Sequence, residues 1–177
     1  MASRFLRIIQ VHFGEAVKTY AHQKNVRYVM DPEDIRRWYV RVRGLGAPND
    51  GDYIFQLDIT DKYPHEPPLF KCLTPSGVFV VDANACVSIG TYHKGAYSST
   101  LGAVGFFDCV LGLFMTYTHA ECGGGIGILD SVSARTRASA AKASRAYNAE
   151  HHGYILALFA SLETSEDVTD AAAGVPS

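Results

Sequence analysis

The 177-residue chain lacks most of what marks a protein for a specialised environment. Its four cysteines, at 72, 86, 109 and 122, include no Cys-x-x-Cys pair, which argues against a zinc site or a disulfide framework. No uncharged apolar run reaches the roughly 20 residues of a membrane-spanning helix. Met1 is not followed by a secretory apolar stretch, so reduced thiols in the cytoplasm or nucleus are expected. The net charge of −2 is too small to set up a nucleic-acid or membrane-surface field over the whole molecule. A glycine-rich phosphate loop, a metal-ligand cluster and a Ser-His-Asp order are all missing, and His151-His152 alone makes no metal site. Neither a metal nor a cofactor is therefore expected.

What the chain does have is enough apolar material, 47% of its residues, to fill one core. A single domain is expected over residues 1–163, with a short polar, flexible tail over 164–177. Charge is unevenly spread. Residues 1–43 hold nine Lys/Arg against four Asp/Glu, while residues 150–177 hold five acids and no Lys/Arg. Arg4 and Arg7 could recruit an acidic partner, or could simply belong to a solvated helix face.

Phe5, Ile8, Ile9, His12, Phe13, Ala16, Val17 and Tyr20 recur at helical spacing after Ser3, a capping residue. Alternation of Trp38, Val40 and Val42 with arginines reads as a half-buried strand, and that of Tyr53, Phe55, Leu57 and Ile59 with polar residues as another strand. Leu69 to Leu73 makes a further apolar run. Leu101 to Met115 is helical with Asp108 its only charge, so it is expected to be buried nearly all round. Val132 to Tyr147 and Tyr154 to Leu162 read as two terminal helices. Cys72 and Cys109 are expected to be packing residues, and Cys122, in a glycine-rich loop, an exposed thiol.

Two runs carry the chemistry. Tyr63-Pro64-His65-Glu66-Pro67-Pro68 is a strand exit locked by prolines. Eighteen residues later Cys86 stands in Asn84-Ala85-Cys86-Val87-Ser88-Ile89, an extended stretch of small residues. In this order and spacing they resemble the ubiquitin-conjugating enzyme family. Leu73-Thr74-Pro75-Ser76-Gly77-Val78-Phe79, Cys86-Val87-Ser88-Ile89-Gly90-Thr91-Tyr92-His93 and Gly125-Ile126-Gly127-Ile128-Leu129-Asp130 are similar to its J-type subfamily, which serves endoplasmic-reticulum-associated degradation. The resemblance covers roughly residues 3–150. It implies an α+β fold: an N-terminal helix, a four-stranded antiparallel meander, a central helix and two C-terminal helices. It also implies that Cys86 accepts ubiquitin, or a ubiquitin-like protein, as a thioester from an activating enzyme and passes it on, with or without a ligase. ATP is consumed upstream, so the protein itself needs no cofactor.

Departures from the family pattern matter as much. Ser76 stands where the family has an oxyanion-steadying asparagine. His65 replaces an aromatic, and Ser99 a proline, on the two loops that meet RING-type ligases. Tyr97 and Leu101 replace two tryptophans, and the membrane anchor that ends J-type enzymes is not found. These changes leave room for a weak or inactive variant that serves as a binding scaffold.

A thiolate suits acyl exchange, because transfer between two thioesters is nearly isoenergetic and sulfur leaves readily. Against that stands the ordinary role of a free cysteine as a small buried hydrophobe. Asn84, two residues before Cys86, would share its side-chain direction in an extended segment and could donate to the oxyanion, or be a plain turn residue. Ser76 is open to the same two readings. His93 and His119 are candidate general bases or solvated loop residues. Asp130 matches a family acid near the active-site gate, or else caps the helix that follows, as Ser131 could. With Ser76 in place of the asparagine, discharge onto serine or threonine at least as fast as onto lysine is expected.

Overall fold

Helical spacing in the first segment becomes helix α1 (Arg4–Tyr20) in the computed structural model, which describes residues 4–87, 97–116, 125–129 and 132–162. The expected cap Ser3 and the expected tail lie outside these residues. Ile9, Ala16 and Tyr20 are the buried residues of α1. Val17, on the predicted stripe, is exposed because it edges an open groove between α1 and the first strand.

Four strands follow: β1 (Val26–Met30), β2 (Arg37–Arg43), β3 (Asp52–Asp58) and β4 (Leu69–Cys72). They pair antiparallel in sequence order, β1-β2-β3-β4. Val40 lies opposite Tyr28 on one side and Phe55 on the other, and Leu57 lies opposite Trp38 and Phe70. These side chains join Ile9, Phe106, Phe107 and Phe114 in the main core. The Trp38–Val42 strand is expected to be half-buried, yet β2, like β3, is covered on both faces. Val29, Tyr39, Ile54 and Leu73, on the second face, pack under Ile155 and Phe159 of the last helix, α4 (residues 153–162).

Helix α2 (Gly102–Thr116) crosses the first face. It buries Ala103, Phe106, Phe107, Val110 and Phe114, while Met115 and Cys109 are exposed. The expectation of a helix buried all round is therefore corrected to one buried face. Cys109 is likewise not a packing residue, since it stands next to Asp108 on the outer side. Asp108 accepts a hydrogen bond from Tyr20 Oη, which ties α2 to α1.

Helix α3 (Ala134–His151) is capped by Ser133, whose side chain accepts from the Thr136 amide. The cap is thus neither Asp130 nor Ser131, both of which lie outside the described residues. Few apolar side chains hold α3. Asn148 Nδ2 donates to the Asp52 carbonyl at 2.7 Å, Thr74 Oγ1 donates to Asn148 Oδ1 at 2.6 Å, and the Asp52 amide donates to Ser144 Oγ at 2.8 Å. Thr74 also accepts from the Ile54 amide. All four of these polar residues are buried, so each bond replaces a desolvation penalty rather than adding to a wet surface. Among the described residues, no helix is long and apolar enough to cross a membrane, and no group of three or more His/Cys/Asp/Glu could hold a metal ion.

Candidate active site around Cys86

Cys86 belongs to no strand or helix, and its place is set by two loops anchored to β4. The first leaves β4 through Leu73 and turns at Pro75–Gly77. Gly77 has φ of +70°, and a Cβ there would come within 3.2 Å of Arg137 Cα in α3, so only glycine lets this turn lie on the helix. Ser76 is fully buried. Its hydroxyl accepts from the amides of Val78 and Phe79 at 3.2 and 3.1 Å, and its side chain also meets the Cys72 thiol. Burial pushes that thiol up to about 12, against smaller opposing contributions from Ser76 and Thr74. As placed, Ser76 holds the turn from inside and has no face toward solvent.

Past the turn the chain returns along the free edge of β4. The Asp82 amide donates to the Cys72 carbonyl and the Ala85 amide to the Phe70 carbonyl, and Asn84 bridges Lys71. Asp82 adopts φ of 57°, and its carboxylate pairs with Lys71 Nζ at 3.1 Å. Ala85 and Val87 are buried, whereas Cys86 between them is partly exposed. Alternation thus points the thiol outward from a backbone fixed on both sides.

The second loop, residues 125–129, closes over this edge. The Cys86 amide donates to the Ile126 carbonyl at 2.7 Å, the Val80 amide to Gly127 and the Leu129 amide to Val78, both at 2.8 Å. Phe79 and Ile128 form a further bridge. Gly127 is the critical residue here. Its φ is +70°, and a Cβ would fall 2.6 Å from the Asn84 carbonyl oxygen. In the sequence, Gly125-Ile126-Gly127 stands out only as part of the family resemblance; the signal for its role is a glycine in a run that must touch another backbone.

Asn84 is half-buried beside Cys86, and its Oδ1 is enclosed with no hydrogen-bond partner among the described residues. His93 and Asp130, with His119 and Cys122, lie outside the described residues. Cys72 is fully buried as expected.

The other candidate residues sit away from the thiol, around Tyr63. Tyr63 is buried, follows β3 and precedes a cis Pro64. Its hydroxyl accepts from the Ala103 amide at 3.0 Å and bonds His12 Nδ1 of α1. Burial, with smaller contributions from its neighbours, pushes the Tyr63 phenol well above its ordinary value. This tie brings α1, the Pro64–Pro68 loop and the start of α2 together. His65 is exposed on that loop and Ser99 on the approach to α2. Ser99 and Leu101 line a notch with His12 and Glu15. Arg4 and Arg7 are exposed on the first turns of α1. Tyr97 is buried edge-on against Phe106, so it acts as a core residue, while Leu101 stays at the surface.

No protein-family model matches the chain. Curated relatives do. "Ubiquitin-conjugating enzyme E2 6" of Schizosaccharomyces pombe is 29% identical over 174 residues, covering 91% of this chain and 72% of that protein. Its namesake in Eremothecium gossypii is 28% identical over 143 residues, covering 78% and 57% respectively. This chain therefore spans little more than half the length of the Eremothecium protein. A "Ubiquitin-conjugating enzyme E2 J2-like" protein of Dictyostelium discoideum is 34% identical over 79 residues, 42% of this chain and 45% of its own. Among solved structures, a putative ubiquitin-conjugating enzyme of Plasmodium yoelii superposes with a TM-score of 0.63 at 13% identity, covering 81% of this chain and 97% of that one. A structure titled "Novel Ubiquitin-Conjugating Enzyme" gives 0.61 at 15%, covering 84% and 97%. The chain has the ubiquitin-conjugating fold and is similar in sequence to ubiquitin-conjugating enzymes.

Proposed function

We propose that the chain is a ubiquitin-conjugating enzyme, with Cys86 as the carrier of ubiquitin or a ubiquitin-like protein, and that it is of the J-type. The observation that carries the reading is the setting of Cys86: a partly exposed thiol on a backbone fixed by β4 on one side and residues 125–129 on the other. The other described cysteines are a sealed core thiol, Cys72, and an exposed helical one, Cys109. In charging, the Cys86 thiolate attacks the thioester carbonyl presented by the activating enzyme. A new S–C bond forms, and the donor's sulfur leaves as a thiolate. In discharge, an amine or hydroxyl attacks the same carbonyl, its proton goes to a base, and the Cys86 thiolate departs.

Discharge needs a donor for the developing oxyanion, and losing one typically costs about 2.7–4 kcal/mol. Ser76 is engaged inside its turn, which supports Asn84 as the residue for this role. His93 and His119 are the proposed bases, with Asp130 at the gate. The exposed Arg4 and Arg7 are proposed to meet the activating enzyme. His65 and Ser99, held on either side of Tyr63, are the proposed ligase surface. Without an aromatic and a proline there, stimulation by common RING ligases is expected to be weak. The enclosure of Ser76 favours a second reading, in which the protein is a catalytically weak or inactive variant that acts as a binding scaffold.

Incubation with activating enzyme, ATP and ubiquitin tests the proposal. A reductant-sensitive adduct should form on the wild type, survive Cys72→Ala and Cys109→Ser, and vanish in Cys86→Ala. An adduct that persists in Cys86→Ala would move the site, and no adduct on the wild type would favour the scaffold.

A further inference from the structure

The charges of α3 are arranged in a way that its own stability does not explain. The helix holds Arg135, Arg137, Lys142 and Arg145 against a single acid, Glu150. Arg135 stands in the first turn, where the positive end of the helix dipole disfavours a cation. A solvated helix face ordinarily sets an acid three or four residues from each cation, yet Arg135, Lys142 and Arg145 enter no ion pair among the described residues. Lys142 and Arg145, both exposed, border a cleft of about 430 Å³ between α3 and the turn that joins β2 to β3. Arg43, at the end of β2, lines the same cleft, and Asp50 and Asp52 are the acids there. Asp52 is already neutralised, because Arg41 Nε and Nη2 donate to its two carboxylate oxygens at 2.8 and 2.6 Å. Ser144 is engaged as well: its hydroxyl accepts from the Asp52 amide and donates to the Ala141 carbonyl at 2.6 Å. One turn before Ala141, Arg137 Nε and Nη1 are enclosed with no hydrogen-bond partner among the described residues. The charges of Arg137 and Asp50 both act on the Tyr53 phenol, so this guanidinium lies close enough to the turn to offset Asp50. The cleft is therefore cationic, with its available donors on the rim.

We propose that this cleft binds a phosphate group, gripped by Arg145 and Lys142 from α3 and by Arg43 from β2. The site is separate from the thiol chemistry and stands whether or not Cys86 carries an acyl group. The donor set selects the anion. A carboxylate is matched by a single guanidinium fork, whereas a phosphate offers more oxygens and more charge. Two guanidinium forks and an ammonium, brought in from two sides of one cleft, suit the phosphate. A nucleic acid would call for a stripe of cations along the surface, and the net charge of −2 sets up no such field. The engaged floor leaves the rim cations to decide binding, so affinity should follow those side chains directly.

Titration of the full chain with inorganic phosphate, followed by amide NMR shifts at constant ionic strength, tests this. Saturable shifts are expected at Gly44, Gly51, Lys142 and Ser144. Lys142→Ala/Arg145→Ala should weaken phosphate binding by about tenfold or more, the scale of losing charge-assisted hydrogen bonds. Arg145→Lys, which keeps the charge and loses the fork, should fall between that variant and the wild type. Lys18→Ala/Lys24→Ala removes the same charge from the α1 end of the molecule and should leave binding within about twofold, because distant exposed charges are screened. Two short peptides, one with phosphoserine and one with glutamate at the same position, are titrated in parallel. Saturation by inorganic phosphate alone supports a free phosphate as the ligand, and saturation by the phosphoserine peptide as well supports a phosphorylated segment. Shifts that never saturate, or that weaken equally in the Lys18/Lys24 variant, overturn the site. Equal binding of the glutamate peptide overturns the choice of phosphate.

Discussion

At the scale of single residues, the site depends on two positions whose chemistry is structural. Ser76 binds two backbone amides from a fully buried hydroxyl. Ser76→Ala is expected to destabilise the protein by about 1–3 kcal/mol, the cost of leaving buried donors unsatisfied, which a shifted urea midpoint would report. Gly127→Ala places a Cβ 2.6 Å from the Asn84 carbonyl oxygen and forces an alanine into a left-handed backbone costing roughly 1–2 kcal/mol. Residues 125–129 must then lift from Cys86, and Cys86 charging should fall at least tenfold while far-ultraviolet circular dichroism is retained. Unchanged charging in Gly127→Ala would show that the second loop does not position the thiol. Of these two residues, Ser76 was visible in the sequence as a departure from a pattern. Its inward direction was not, because turn residues and catalytic donors share the same side chains. The surface positions of His65 and Ser99 are legible only through the family resemblance, which assigns both to exposed loops.

At the scale of elements, legibility followed apolar periodicity. α1, β2, β3 and α2 were readable because their apolar residues recur at periods of 3.6 or 2. β1 has no alternation of its own; Val26, Tyr28 and Val29 are all buried, the last because α4 covers the second face. A second layer cannot be inferred from a strand that is short and interrupted by Arg27. The burial of α2 was overestimated for a related reason: phenylalanines fill one face, but Met115 and Cys109 are left outside. α3 has an Ala/Arg/Ser-rich sequence because polar bonds, not an apolar stripe, dock it on β3 and on the segment after β4. Asn148→Ala removes both the donor to Asp52 and the acceptor for Thr74. It should cost about 1–3 kcal/mol and, by loosening the Thr74–Gly77 segment, slow Cys86 charging as well. A stability loss with charging intact would mean that α3 and the site are mechanically independent.

At the scale of the whole molecule, one core lies between the sheet and α1 and α2, and a second lies under α4. The second is fastened by Asp31, a buried carboxylate that accepts from Tyr39 Oη, from Tyr154 Oη of α4 and from the Glu33 amide, with Arg37 at 3.6 Å. Burial pushes the Asp31 pKa up, but these donors and the Arg37 charge outweigh it, and the net shift is downward. The folded value therefore lies below the unfolded one. The stabilisation is complete above the unfolded pKa of about 3.9 and is lost as pH falls through the folded value. Wild-type stability should decline below about pH 4, and Asp31→Asn should be less stable at neutral pH and lose less on acidification. Equal pH slopes from urea titrations of the two proteins would remove Asp31 from the account.

The central claim is that Cys86 alone carries the acyl group, and the most direct measurement is the chemistry of the bond at that position. Cys86→Ser keeps the geometry and exchanges the thioester for an oxyester. With activating enzyme, ATP and ubiquitin, intact-mass spectrometry should show a single adduct on the wild type that thiol reductant removes. The same adduct on Cys86→Ser should resist reductant and yield to mild base. A reductant-sensitive adduct on Cys86→Ser, or none on the wild type, would contradict the assignment.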